Sequence, residues 1–342
     1  MTAVFCRAAA DRKAATWEGL LASFSRLQFV ISDAARGIAA AVAQRAAARR
    51  DDPSAPPLEH GLDVFHTARE AQRVLAWHWR HAETAWEKAE QADAELAEAK
   101  RQGIDARGPA RTAGAAWRRA SAALEEAQRF ESAWGRAACA LELFDADGRL
   151  NDRIRAEAEI AAALKGLAGP EWSKVRNFLA DPRSLAFLDR MHRRLESAEP
   201  RPEWREAMAW RWWLRHRRPP SPDRLTGLIR ATGRDRVLDE AERASYDRVA
   251  AVLEDTVRAS SAVECMNSVL RMQQSRHKRM TQPMLDLKRL YWNCHPFRSG
   301  PRKEARPYQT LGLDLPTSDF WTLLQADPRQ LAQRLSTAHN PE

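Results

Sequence analysis

From about Thr67 to Val237 the sequence reads only as helices, and this constrains the fold more than any other feature. The helical stretches are punctuated by breaker-rich segments: "RQGIDARGPARTAG", "LFDADGRLND", "GLAGPEW", "ESAEPRPEW" and "RHRRPPSPD". Such a block must make its own helix-on-helix core. It carries most of the 13 tryptophans, including "WRWWLRH" at Trp210 to His216. Those rings can stack on bases or pack helix against helix. Packing is the expected role, because aromatic area dominates small helical cores. Within the block, "WEKAEQADAELAEAKRQ" resembles one arm of a coiled-coil hairpin, or else a solvated helix.

Strand-like segments stand on the N-terminal side of this block. A helix is expected over residues 11 to 24, followed by "LQFVIS" as a buried strand that ends on a carboxylate, Asp33. A second helix runs through "GIAAAVAQRAAARR" and stops at "DDPSAPP". "GLDVFH", Gly61 to His66, reads as another short strand. On the far side of the block a long helix is expected from Asp239 to about Gln274, with Val249, Val252, Leu253, Val263, Met266 and Leu270 at helical spacing. Counting by three and four from Glu264 on that helix places Asn267, Ser268 and Arg271 on its face, with Ser275 and Lys278 further along. A row of acid, amide, hydroxyl and cation suits a helix that holds a metal and grips phosphates beside it. An ordinary exposed helix with one Glu also accounts for it.

Composition narrows the partners. The chain has 342 residues, a length for two domains or for one core with a large insertion, and 44% hydrophobic with 30% charged residues describes a globular protein. Lys+Arg 55 against Asp+Glu 46 gives a formal +9, mostly from arginine, whose planar fork suits phosphate, so a polyanion partner is expected. The cluster Arg276, His277, Lys278, Arg279, Lys288, Arg289, Arg298, Arg302 and Lys303 supports sequence-neutral phosphate contacts; a solvated basic tail is the other reading. Four scattered cysteines form no CxxC pair and read as reduced thiols, and Cys265, His277, Cys294 and His295 fit no usual zinc spacing. No signal peptide opens the chain and no apolar run approaches the ~20 residues of a membrane span, so a cytoplasmic protein without a membrane partner is expected.

Taken together, a strand ending in Asp, a second strand, a helical block and a helix bearing Glu resemble the DDE-type transposases of bacterial insertion sequences. These have an RNase H-like catalytic core with an all-helical insertion. The segments that carry the resemblance are "FVISDAARGI", "LDVFHTARE", "SSAVECMNSVLRM" and the downstream "DLKRLYWNCHPFRSGPRKEARPYQTLGLDLP". It implies an α/β, mostly helical fold: a partial RNase H-like core interrupted by a large all-α insertion. The divisions expected are residues 1–70 as the N-terminal part of the core, 71–237 as the insertion, 238–300 as core helices with the last acid, and 301–342 as a basic, proline-containing tail.

The resemblance further implies that Asp33 and Glu264, 231 residues apart (264 − 33), coordinate Mg²⁺ or Mn²⁺. Asp63 and His66 match a (C/D)-x-x-H motif that accompanies the second acid in transposases with helical insertions. For His66 a hydrogen-bonded structural role is the equal alternative. Asn267, Arg271, Lys278, Arg279, Lys288 and Arg289 would face DNA. The implied activity is metal-dependent strand cleavage and transfer at insertion-sequence ends, by a nucleoid-associated homo-oligomer with no small-molecule substrate. The family's first Asp and first strands have no counterpart before Asp33. The chain therefore reads as N-terminally truncated and inactive alone, with a non-catalytic DNA-binding or interaction protein derived from such an enzyme as the alternative.

Overall fold

The computed structural model describes residues 11, 13–24, 26–33, 35–50, 55–145, 147–216, 238–258, 281–296, 303–310, 315, 317, 319–327, 329 and 330. It is mostly helical, with a two-stranded parallel sheet. Two compact units divide the chain: Glu18–Ser260, and Met1–Trp17 with Ser261–Glu342.

After α1 (Ala14–Ala22), the larger unit contains β1 (Phe29–Ser32), α2 (Arg36–Arg50) and β2 (Glu59–Leu62), a β–α–β unit whose strands pair in register from Phe29↔Glu59 to Ser32↔Leu62. Gly61 leaves room for the Phe29 ring, since a Cβ there would lie 2.7 Å from its tip. The expected second strand is thus displaced: pairing ends at Leu62, and Val64 to His66 belong to the next helix. The reason is local. Asp63 turns its carboxylate onto the Phe65 N–H, so it caps a helix instead of continuing a strand.

That helix, α3 (Val64–Arg101), runs 38 residues through the boundary expected between residues 70 and 71 and pairs with α4 (Arg107–Ala140) across a turn at Gly103. Buried positions Ala71, Val74, His78, Ala82, Ala89 and Ala92 on α3, and Ala113, Ala120, Ala123, Ala127, Phe130, Trp134 and Ala137 on α4, follow near-heptad spacing. The seam is mostly alanine, which lets the helices approach closely.

The main core lies at the sheet end of this hairpin. It joins Phe130, Trp134 and Trp172 to residues of α5 (Arg153–Gly166), α6 (Ser173–Ala180), α7 (Ala186–Ala198), α8 (Pro202–His216) and α9 (Glu240–Glu254). Short 3₁₀ turns, Pro170–Trp172 and Pro182–Leu185, precede α6 and α7. Trp134, Trp172, Trp210 and Trp213 are buried there, the packing role expected of such rings.

Where α7 ends, Glu199 is fully buried and gathers Arg201, Arg248 and Ser245 at 2.6–2.9 Å, tying α7, α8 and α9 together. The long helix expected from Asp239 stops at Glu254, and Thr256–Arg258 are not helical. The Thr256 hydroxyl takes the Val252 carbonyl, while the Arg258 guanidinium reaches the Leu141 carbonyl and Glu142. The Thr256 bond is local, and the Arg258 contacts are the tertiary anchors that hold the chain out of the helix.

The second unit contains α10 (Gln282–Cys294), α11 (Pro307–Thr310) and α12 (Phe320–Gln325), with α10 packed on both of the others. No described helix is long and apolar enough to cross a membrane.

Candidate functional site at the strand ends

Parallel strands direct their carboxyl ends to the same edge, and in open α/β sheets ligands bind beyond that edge. Asp33 follows β1 and Asp63 follows β2 by one residue each, and the Asp63 N–H donates to the Ser32 carbonyl at 2.9 Å. The two acids therefore occupy adjacent register positions, about 4.8 Å apart across the ladder. Their environments differ. Asp33 is exposed and accepts the Ala35 N–H at 3.3 Å, just before α2 begins. Asp63 is 1% exposed, with Oδ1 accepting the Phe65 N–H at 2.9 Å and Oδ2 bonded to His66 Nδ1 at 2.6 Å.

A carboxylate only accepts, so the neutral His66 tautomer carries its proton on Nδ1 and Nε2 is the basic atom. The His66 side chain is 38% exposed on the first turn of α3. The D-x-x-H spacing is thus a direct contact, because residues three apart on a helix start share a face.

Behind the acids lies a relay invisible to spacing. His60 on β2 bonds the Ser32 hydroxyl through Nε2 at 2.8 Å and Arg183 Nη1 through Nδ1 at 3.1 Å, and Arg183 forks onto Asp181 at 2.6 and 3.0 Å. A guanidinium only donates, so His60 Nδ1 accepts and Nε2–H donates to Ser32. Burial, reinforced by the Arg183 charge, pushes His60 down to about 4. It is therefore neutral near pH 7. Although Ser32 and His60 form a hydroxyl–imidazole pair, the basic nitrogen is spent on Arg183, so the serine is not activated as a nucleophile. The relay fixes the strand that delivers Asp33.

One further contact closes the site. The Val64 N–H, next to Asp63, donates to the Arg258 carbonyl at 3.1 Å. The chain leaves the strand end at Val64 and, after the helical block, comes back to it at Arg258.

Of the other sequence-derived candidates, Glu264, Asn267, Arg271, Lys278 and Arg279 lie outside the described residues. Lys288 and Arg289 are half-buried on α10 of the other unit, where Arg289 meets Asp286 at 3.6 Å. Among the described residues no three of His, Cys, Asp and Glu converge as a metal-holding group. The described donors include one exposed carboxylate, Asp33, while both oxygens of Asp63 are engaged within the protein.

Sequence reasoning missed Ser32, His60, Asp181, Arg183 and Arg258. Arg183 lies 123 residues from His60, and no local pattern links them. No protein-family model, curated protein or solved structure matches this chain.

Proposed function

We propose that this chain is a transposase-type protein that binds DNA and presents Asp33, with Glu264, to a scissile phosphodiester through Mg²⁺ or Mn²⁺. The observation that carries the reading is the parallel pairing of β1 with β2, which sets the exposed Asp33 beside Asp63 at one strand edge. The parallel β1–α2–β2 unit with an acid after its first strand supports an RNase H-like core. Divalent ions, when bound between such acids, activate the attacking oxygen and stabilise the leaving one. The protein's own part is placement: the His60 relay fixes β1, Asp63 starts α3, and Asp33 remains at the surface where a phosphate can approach.

A second reading, a non-catalytic DNA-binding protein derived from such an enzyme, is favoured by the engagement of Asp63 with Phe65 and His66, which leaves Asp33 as the exposed acid of the pair. The test is binding of the purified chain to short duplexes across a salt series, with Mn²⁺ added and products separated on a denaturing gel. Affinity falling steeply with salt is expected from phosphate contacts. Cleavage lost in both Asp33→Ala and Glu264→Ala assigns the enzyme; binding without cleavage assigns the second reading. An absence of salt-dependent binding overturns both.

A further inference from the structure

The opposite edge of the sheet carries an arginine with no matching acid. Arg190, Arg193 and Arg194 stand at i, i+3 and i+4 on α7 and so share one face. That face lies over the amino ends of the strands. Arg190 reaches the Gln28 side-chain carbonyl at 3.3 Å and Arg193 the Glu59 carboxylate at 2.6 Å, while Arg194 pairs with Asp255 at 2.8 Å. The Glu59 N–H donates to the Gln28 backbone carbonyl at 2.9 Å, so the anchors of Arg190 and Arg193 are neighbours across the ladder.

Among the described residues three guanidinium groups thus meet two carboxylates, and the odd one is Arg190. The next acid on its own helix, Asp189, is held by Arg153. Arg190 is half-buried, its one hydrogen bond is long and goes to a neutral amide, and its guanidinium carbon lies 5.2 Å from the centre of the Phe29 ring. Burial first, then the charges of Arg194 and Arg193, lower its pKa against the pull of Glu59 and Asp255. Arg49, at the end of α2, brings a fourth guanidinium to the same edge, bonded to the carbonyls of Leu27 and Pro56. A cation drawn partly out of water without a counter-charge costs free energy that a bound anion offsets. Arginine suits an oxyanion best, because its planar fork matches two oxygens at once. Arg190 uses Nη2 on Gln28 and Arg193 uses Nη2 on Glu59, so each has further N–H donors to offer.

We propose that this edge is an oxyanion site that takes a phosphate group between Arg190 and Arg193. It is separate from the strand-end site: Gln28 precedes Asp33 by five residues (33 − 28), about 16 Å along an extended strand. The inference therefore stands independently of the chemistry proposed at Asp33. The phosphate group belongs either to a free phosphate ester or to a nucleic-acid backbone, and the recognition is the same for both.

Thermal unfolding of the full chain in phosphate, against chloride at equal ionic strength, tests it. Phosphate at ten times its Kd should raise the folding equilibrium constant about tenfold, and the effect should saturate. Arg190→Gln should abolish this gain, and Arg190→Lys, which keeps the charge without the fork, should weaken phosphate binding about tenfold with an unchanged circular dichroism spectrum. In chloride alone Arg190→Gln should be as stable as the native chain or more so, because it breaks no ion pair. A short DNA duplex added to the phosphate-saturated chain identifies the source: release of phosphate, read by phosphorus NMR, assigns the backbone, and retention assigns a free ester. Phosphate that stabilises no more than chloride does, or equally in Arg190→Gln, overturns the proposal. So does an Arg190→Gln variant destabilised to the same extent in chloride as in phosphate, which would make Arg190 a purely structural residue.

Discussion

Replacing Glu199 should be among the most destabilising changes to a charged residue in this protein. Its carboxylate is fully buried and accepts from Arg201 Nε at 2.7 Å and Nη2 at 2.9 Å, Ser245 Oγ at 2.6 Å and Arg248 Nη2 at 2.8 Å. The Arg201 fork first, with Ser245 and Arg248 behind it, holds the group well below the usual carboxylate range against the cost of burial. Breaking a buried ion pair from one side costs about 3–5 kcal/mol, because a charge is stranded. Here both guanidinia are 47% exposed and can return to water, which argues for the lower end. Ser245, fully buried, loses its acceptor outright. Glu199→Ala should therefore cost about 3 kcal/mol, and Glu199→Gln, which keeps the volume and one carbonyl oxygen, about half that.

With a urea m-value of about 3 kcal/mol/M, the alanine variant should move the midpoint down by roughly 1 M, followed by tryptophan fluorescence. The pH dependence adds a second check. A carboxylate whose folded pKa is depressed contributes stability above its unfolded value, and that stability is lost as pH falls toward the folded value. The gap between the native chain and Glu199→Gln should thus be full at pH 7 and shrink below about pH 4.5. A change under ~0.5 kcal/mol in Glu199→Ala, the size of an ordinary surface substitution, or a gap that persists unchanged into acid, would refute the reasoning.

Two further outcomes are expected. In a titration followed by NMR the His60 ring should have its midpoint at about 4, and Arg183→Ala should raise it. Since the unfolded imidazole titrates higher, the unfolded chain binds more protons in between, and stability should fall as pH drops from about 6.5 toward 4. A midpoint near 6.5 would contradict the tautomer assigned here. Gly148→Ala should destabilise by about 2 kcal/mol, because φ is +81° and a Cβ would lie 2.6 Å from the Trp213 ring. An unchanged thermal midpoint would show that the Asp145–Arg149 turn relaxes.

The sequence alone determined the kinds of element and much of their order. "FVIS" was legible as a buried strand because its residues are apolar without helical spacing, and the breaker segments around Gly103, Gly148 and Gly169 fall where the helices end, since positive φ suits glycine. The Ala/Glu/Lys-rich "WEKAEQADAELAEAKRQ" was legible as one arm of a helical hairpin, and it lies in α3. Local chemistry also explains the displaced second strand, because the Asp63 carboxylate serves a helix start as readily as a strand end.

Tertiary structure decided what local pattern has no means to encode. The parallel pairing that sets Asp33 beside Asp63, the Arg183–His60–Ser32 relay and the return of Arg258 to Val64 all join residues far apart in the chain. The end of α9 at Glu254 belongs with them, since the helical periodicity continues past it while Arg258 is held by Leu141 and Glu142 in the turn after α4. Periodicity reports which face of a segment seeks burial. Which partner it meets is set by packing and by hydrogen bonds that must be satisfied once water is excluded.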